Sequence, residues 1–218
     1  MKNGAEDTKN RLLDSAEGLF AESGFDGVSA CDITKLANCN VASINYYFSS
    51  KENLYNEVCR RRLNALRDIR IASINKIMAA GATEITLEDL FREFSHAFLA
   101  PLMEDPKGRA FLKLMTREML YPHMPAGMCA EEMIMPVFTL LLEAVEKICP
   151  DLTKEQAMWS IYSLIAQLVH AVHMKTMMGG CFKGMPVFDI TKAVNHIVSF
   201  TAAGVRSFVV TGEGVENG

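Results

Sequence analysis

Between Ser29 and Lys51 the chain concentrates hydroxyls, carboxamides and two adjacent phenols, including Ser29, Ser43, Asn45, Tyr46 and Tyr47, with ammonium groups at Lys35 and Lys51. Such groups give and take hydrogen bonds, and none of them stands in the nucleophile-and-base spacing that bond-making requires. The residues an active site on a helical scaffold would draw on are His96, His123, Glu118 and Cys129. They form no nucleophile–base motif, no glycine-rich phosphate loop, and no carboxylate pair with a third partner. His170 and His173 lie one helical turn apart, but no carboxylate or cysteine neighbours them at ligand spacing, so no metal site and no cofactor are expected. The chemistry on offer is recognition.

The elements that must hold the polar stretch are helices. Leu12, Ala16, Leu19 and Phe20 recur at helical spacing, and Ala21-Glu22-Ser23-Gly24 closes that run with a glycine able to take the left-handed cap. Ser29 precedes Asp32 by three residues, which is the capping-box spacing at the start of a second helix. Ile33, Leu36 and Ala37 are expected to face inward. Asn38-Cys39-Asn40 supplies a tight turn, since Asn tolerates left-handed angles and can cap the next helix. A short third helix follows, anchored by Ile44 and Phe48, with Val41, Ala42, Ser43, Asn45, Tyr46 and Tyr47 left on its outer side. A B-DNA major groove admits one such helix, whose N-terminal residues reach base edges while its neighbours hold phosphates. Helix, helix, tight turn, helix is the helix-turn-helix arrangement.

Residues 8 to about 58 resemble the N-terminal domain of the TetR family of transcriptional regulators. The resemblance runs through Leu13-Asp14-Ser15-Ala16, Leu19 to Phe25, Val28-Ser29, Asp32-Ile33, Leu36-Ala37, Tyr46, Phe48 and Ser50-Lys51-Glu52-Asn53-Leu54. Ala37-Asn38 together with Val41 to Tyr46 is similar to the CecR-like branch, where Asn takes the position of Asn45; Gln167 and His170 also fit that branch. The resemblance implies that Ser29 bonds a phosphate, that Val41, Ala42, Ser43 and Asn45 face the groove, and that Tyr46, Tyr47 and Lys51 grip the backbone. Many relatives carry Arg or Lys where Cys31 and Val41 stand, so two positive contacts are missing here, leaving more to shape and methyl contacts.

Charge alone does not suggest DNA: the net charge is −4, and residues 1 to 70 hold ten Lys or Arg against ten Asp or Glu. Lys51, Arg60, Arg61, Arg62, Arg67 and Arg70 cluster along a fourth helix, a pattern that an ordinary solvated face explains equally well.

At 218 residues and 50% hydrophobic, the chain exceeds a head of about fifty residues and needs a second core. Helical signals fill the remainder: a run from Leu54 to about Ala80; Thr86 capping toward Asp89; Pro106 opening a helix to Leu120; a loop over 121–127. A helix then spans about Ala130 to Ile148, with Pro136 as a kink or in its first turns; Thr153 with Gln156 opens a long helix to Met178, stopping at Gly179-Gly180; Asp189 caps a last helix to about Val210. No segment alternates as a strand. The expected fold is therefore all-α: an N-terminal three-helix DNA-binding domain over 1–56, a larger helical ligand-binding and dimerisation domain over 57–211, and a flexible tail over 212–218.

The last two long helices are apolar around most of their circumference, which points to a homodimer formed through them. The resemblance implies the same two-fold pairing, and two-fold symmetry would match a palindromic operator in double-stranded DNA. Fourteen methionines suit an adaptable apolar pocket. Its expected lining is Phe94, Phe98, Met115, Met119, Phe138, Trp159 and Met174, with Glu118, Gln167 and His170 orienting a small, mostly apolar effector. Cys31, Cys39, Cys59, Cys129, Cys149 and Cys181 show no disulfide or zinc spacing, which suits a reducing cytoplasm, and Cys129 and Cys181 are the candidates for redox sensing. No apolar run is long enough for a membrane span, and no signal peptide opens the chain. The expected function is a ligand-responsive repressor; the competing reading is a helical protein-binding adaptor that has lost DNA binding.

Overall fold

The structure, a computed structural model, describes residues 2–178 and 189–211, and every element among them is a helix. In chain order these are α1 (Lys2–Ser23), α2 (Ala30–Leu36), α3 (Ala42–Phe48), α4 (Lys51–Met78), α5 (Leu87–Met103), α6 (Pro106–Glu118), a π turn (Ala130–Ile134), α7 (Met135–Ile148), α8 (Lys154–Met178) and α9 (Ile190–Thr211). None of the described helices is long and apolar enough to cross a membrane. Gly179-Gly180, Cys181 and the tail over 212–218 lie outside the described residues.

The local signals act where the sequence puts them. Gly24 takes φ 75° and its N–H bonds the Phe20 carbonyl, ending α1. Asn38 turns the chain with φ 50°. Ser29 Oγ accepts from Asp32 N at 3.1 Å while Ser29 N donates to Asp32 Oδ2 at 3.0 Å, closing the capping box of α2. The same reciprocal bonds join Thr86 to Asp89 and Thr153 to Gln156. Pro136 sits in the first turn of α7, where its missing N–H costs nothing. The segment ahead of it is a π turn rather than a continuation of the same α-helix.

The chain divides into two compact units, Met1–Leu66 with Pro101–Met133, and Arg67–Ala100 with Ile134–Gly218. α4 and α5 each contribute to both, and the boundary expected at residue 56 falls inside α4. In the first unit α6 packs along α1, and α1, α2 and α3 follow one another in contact. Its core holds Leu12, Ala16, Phe20, Ile33, Ile44, Leu54 and Tyr55, all essentially inaccessible. Gly108 is required there, because a Cβ at that position would lie 1.7 Å from the Pro101 carbonyl oxygen. In the second unit α8 packs against both α7 and α9, around Leu141, Ile161, Leu164, Leu168, Val194 and Val198.

Leu36 corrects the sequence reading. It was expected inward, but it is 62% exposed, while Ile33 and Thr34 take the buried side of this two-turn helix. On so short an element the 3.6-residue period does not separate faces over more than one repeat.

Candidate nucleic-acid interface

Only Ile44 and Phe48 of α3 are buried, and they pin the helix to the first unit by one side. The opposite side carries Val41, Ala42, Asn45 and Tyr46, all exposed, with Ser43 and Tyr47 half-buried at its edges. Asn40 Oδ1 accepts from Ala42 N at 2.9 Å, fixing how α3 leaves the turn. Tyr46 is 80% exposed and meets Tyr47 edge-on at 4.8 Å between ring centroids, so the two phenols form a stiff projecting pair. Two turns of helix thus hold hydrogen-bonding groups in water with their apolar anchors underneath.

The cations are arranged differently from the sequence expectation. Lys51 Nζ donates to the carbonyls of Phe25 and Val28 at 3.1 and 3.0 Å and stands 4.0 Å from the centre of the Phe25 ring, fastening the α1–α2 corner. Arg61 bridges Asp14 and Glu17 at 2.8 and 2.7 Å, Arg62 also pairs with Glu17, and Arg60 pairs with Glu57 and Glu132. Arg70 is buried with its guanidinium 4.0 Å from the Phe98 ring centre. The charge cluster of α4 is therefore largely spent on folding. Among the head residues whose side chains are described, Lys9 and the exposed Lys35 are the cations held neither in an ion pair nor on backbone carbonyls. Ser29 Oγ, expected at a phosphate, donates to Asp32 Oδ2 at 2.6 Å, and that bonding holds the Asp32 carboxyl below its ordinary range.

Sequence reasoning missed a polar cluster elsewhere in the first unit. Glu118, at the end of α6, is 8% exposed and accepts from the Tyr55 hydroxyl at 2.5 Å and from the backbone N–H groups of His123 and Met124 at 3.0 and 2.9 Å. The His123 ring lies on Phe25 at 4.7 Å, with Nε2 3.3 Å from Asp26 and Nδ1 3.5 Å from Glu118. Arg117 donates to the Ala21 and Glu22 carbonyls at the end of α1 at 3.3 and 2.7 Å. Burial, helped by Glu118, keeps the Tyr55 phenol far from ionising, and burial pushes the neighbouring Cys59 thiol up to about 12. Partners 63 to 96 positions apart leave no local pattern to read.

The expected effector residues fall in both units. Glu118 is committed as just described, and Met119 beside it is exposed, while Met115 is half-buried. In the second unit Phe94, Phe98 and Phe138 are buried, and Phe138 stacks on Tyr162 at 5.0 Å. Gln167 donates to Thr201 Oγ1 at 3.0 Å, and Met174 is half-buried. Trp159 is 62% exposed and His170 is also exposed, so neither points into its unit's interior. They share the open side of α8 with Tyr162 and Val169, beside exposed Phe200 and Phe208 on α9. An apolar helix period marks these residues without saying which of two faces is covered by the same chain.

Comparison with known proteins bears on both units. Residues 12–58 match the family model described as bacterial regulatory proteins, tetR family, and residues 93–204, about half the chain, match the tetracyclin repressor-like C-terminal domain. The biofilm operon icaADBC HTH-type negative transcriptional regulator IcaR of Staphylococcus aureus (strain Newman) is 35% identical over 68 residues, 31% of this chain and 37% of that protein. Its Staphylococcus epidermidis counterpart is 35% identical over 60 residues, covering 28% and 32%. The matched segment thus spans about a third of the length of those relatives. Among solved structures, a putative TetR-family transcriptional regulator from Mesorhizobium loti aligns with TM-score 0.70 at 15% identity, covering 94% of this chain and 97% of that one. The fatty acid degradation regulator FadR from Bacillus halodurans aligns at 0.63 and 18% identity, over 91% and 96%. At these identities the alignments establish a shared fold.

Proposed function

The chain belongs to the TetR family of bacterial regulatory proteins, which are DNA-binding transcription regulators and not enzymes, and from that premise we propose that it is a homodimeric repressor released from a palindromic operator by a small, mostly apolar effector. The carrying observation is the open side of α3: the side chains of Asn45 and Tyr46 stand in water with no hydrogen bond among the described residues, on a helix whose buried residues are Ile44 and Phe48. In this reading Val41, Ala42, Ser43 and Asn45 meet base edges, while Tyr46, Tyr47 and the N-terminus of α2 around Ser29 meet phosphates. Lys51 acts from behind, by holding the α1–α2 corner against which α3 is set. Repression is supported by the negative regulators to which the head is similar. The phrase Ala37-Asn38 with Val41 to Tyr46 supports a place near the CecR-like branch, and the absence of disulfide spacing supports a cytoplasmic location.

The open faces of α8 and α9 supply the dimer contact. Trp159, Tyr162, Val169, Phe200 and Phe208 form an apolar side on two helices already packed together, and the same pair from a second chain would close a four-helix interface. The buried aromatics Phe94, Phe98 and Phe138 are the apolar part of the effector site. Effector binding lowers operator affinity by its preference for the unbound arrangement of the dimer. A mobility-shift titration on the promoter beside the protein's own gene, with and without candidate apolar effectors, tests the reading. Retardation that such a compound reverses is expected. An operator affinity unmoved by every compound that binds would remove the switch, and no retardation of any fragment would favour the adaptor.

A further inference from the structure

The exposed side of α3 narrows which bases it can read. From Leu36 to Ser50 the chain has no Arg, Lys, His, Gln, Asp or Glu. The side chains that pair two-pronged with guanine, Arg and Lys, and those that accept from cytosine N4, Asp and Glu, are therefore missing from the turn and the reading helix. Of the carboxamides that remain, Asn40 Oδ1 accepts from the Ala42 N–H, and Asn38 and Asn40 both lie in the turn ahead of the reading helix, Asn38 at φ 50°. Asn45 is exposed in the middle of α3, and no hydrogen bond among the described residues engages its carboxamide. One turn earlier, exposed Val41 and Ala42 offer only methyl groups.

We propose that each half-site read by α3 is centred on A·T pairs, with Asn45 giving Nδ2–H to adenine N7 and taking N6–H at Oδ1, and with Val41 and Ala42 set against thymine C5-methyls. Carboxamide to adenine and methyl to methyl are the contacts that major-groove geometry allows these residue types. The scarcity of free cations in the head sharpens the point, because little sequence-blind phosphate attraction is available to mask it.

The inference rests on the DNA-binding reading, and the test separates the two. The purified full chain is used to select from a random-sequence duplex library, and the selected duplex is then remade with single-atom changes. The expected selection has A·T pairs at the centre of each half-site. Replacing one adenine there by 7-deazaadenine, which removes only N7, should weaken binding about 5- to 100-fold. Uracil in place of a neighbouring thymine should cost a few-fold, and 7-deazaguanine elsewhere should cost nothing. The variant Asn45→Ala, whose side chain supports no fold contact, should bind the natural and 7-deazaadenine duplexes alike. A half-site centred on guanine and sensitive to 7-deazaguanine, or equal sensitivity to 7-deazaadenine in wild type and Asn45→Ala, would overturn the inference while leaving DNA binding intact. A library that yields no enriched sequence would instead sink the DNA-binding reading itself.

Discussion

Replacing Lys51 by Met separates a residue that builds the reading head from one that touches DNA. Met keeps the aliphatic stem and removes the ammonium, so the perturbation deletes two bonds, to the Phe25 and Val28 carbonyls, and the contact with the Phe25 ring. Hydrogen bonds to a charged group contribute about 1.5–3 kcal/mol each, and a cation over a ring adds about 0.5–1 kcal/mol. Lys51 is half-buried, which places the pair of bonds at the low end, and Met recovers part of the ring contact. The expected loss is about 2–4 kcal/mol. At about 2–4 °C per kcal/mol for a chain of this size, that is a fall in Tm of roughly 5–15 °C by circular dichroism. The companion measurement is operator affinity against salt. A lysine at a phosphate contributes about 0.9 to the slope of log K on log salt, hence about 1.8 for two protomers. Lys51→Met should weaken binding through a loosened corner while leaving that slope within about 0.5 of the wild-type value. An unchanged Tm together with a slope shallower by nearly 2 would refute the structural role and return Lys51 to the DNA backbone.

The same accounting predicts a shallow salt dependence for the wild type. With Lys9 and Lys35 as the cations outside ion pairs and carbonyl bonds among the described side chains of the head, about four contacts per dimer give a slope near −3.6, and a measured slope steeper than about −6 would show that the paired arginines of α4 engage DNA after all. Glu118→Ala leaves the Tyr55 hydroxyl and two loop N–H groups without their acceptor, so the first unit should lose roughly 3–5 kcal/mol in urea melts; a loss below about 1 kcal/mol would mean the cluster is readily rehydrated. Phe200→Asp, at a side chain 66% exposed in the single chain, should turn dimer into monomer by analytical ultracentrifugation, and an unaltered dimer would place the interface elsewhere. Cys59, buried and with its thiol raised to about 12, should resist alkylation until the protein unfolds, so rapid labelling in the native state would contradict its burial.

Much of the fold was legible because its signals are local. Ser29 with Asp32, Thr86 with Asp89 and Thr153 with Gln156 each satisfy free helix-end groups across three residues, and the glycine and asparagine turns at Gly24 and Asn38 depend only on their own backbone angles. The presented face of α3 was legible for the same reason, since a short helix with two apolar anchors leaves little choice of side. Residues whose partners lie far along the chain were not. Nothing local to Lys51 marks the Phe25 and Val28 carbonyls, 26 and 23 residues earlier, that its ammonium bonds, and nothing local to Glu118 marks the Tyr55 hydroxyl 63 residues away. Trp159 and His170 are a different case: helical spacing places them on α8 but does not say that both stand exposed in the single chain.

The central claim is that the open side of α3 lies against DNA, and Ala42→Glu tests it most directly. Ala42 is exposed at the first turn of that helix, so a glutamate there is tolerated by the fold and favourable to the helix terminus, yet it sets a carboxylate against the bases and phosphates of the groove. Fluorescence anisotropy on the promoter duplex at low ionic strength should show the wild type binding and Ala42→Glu weaker by at least about 100-fold, with melting temperature and dimer mass unchanged. Equal affinity of the two proteins would contradict the account.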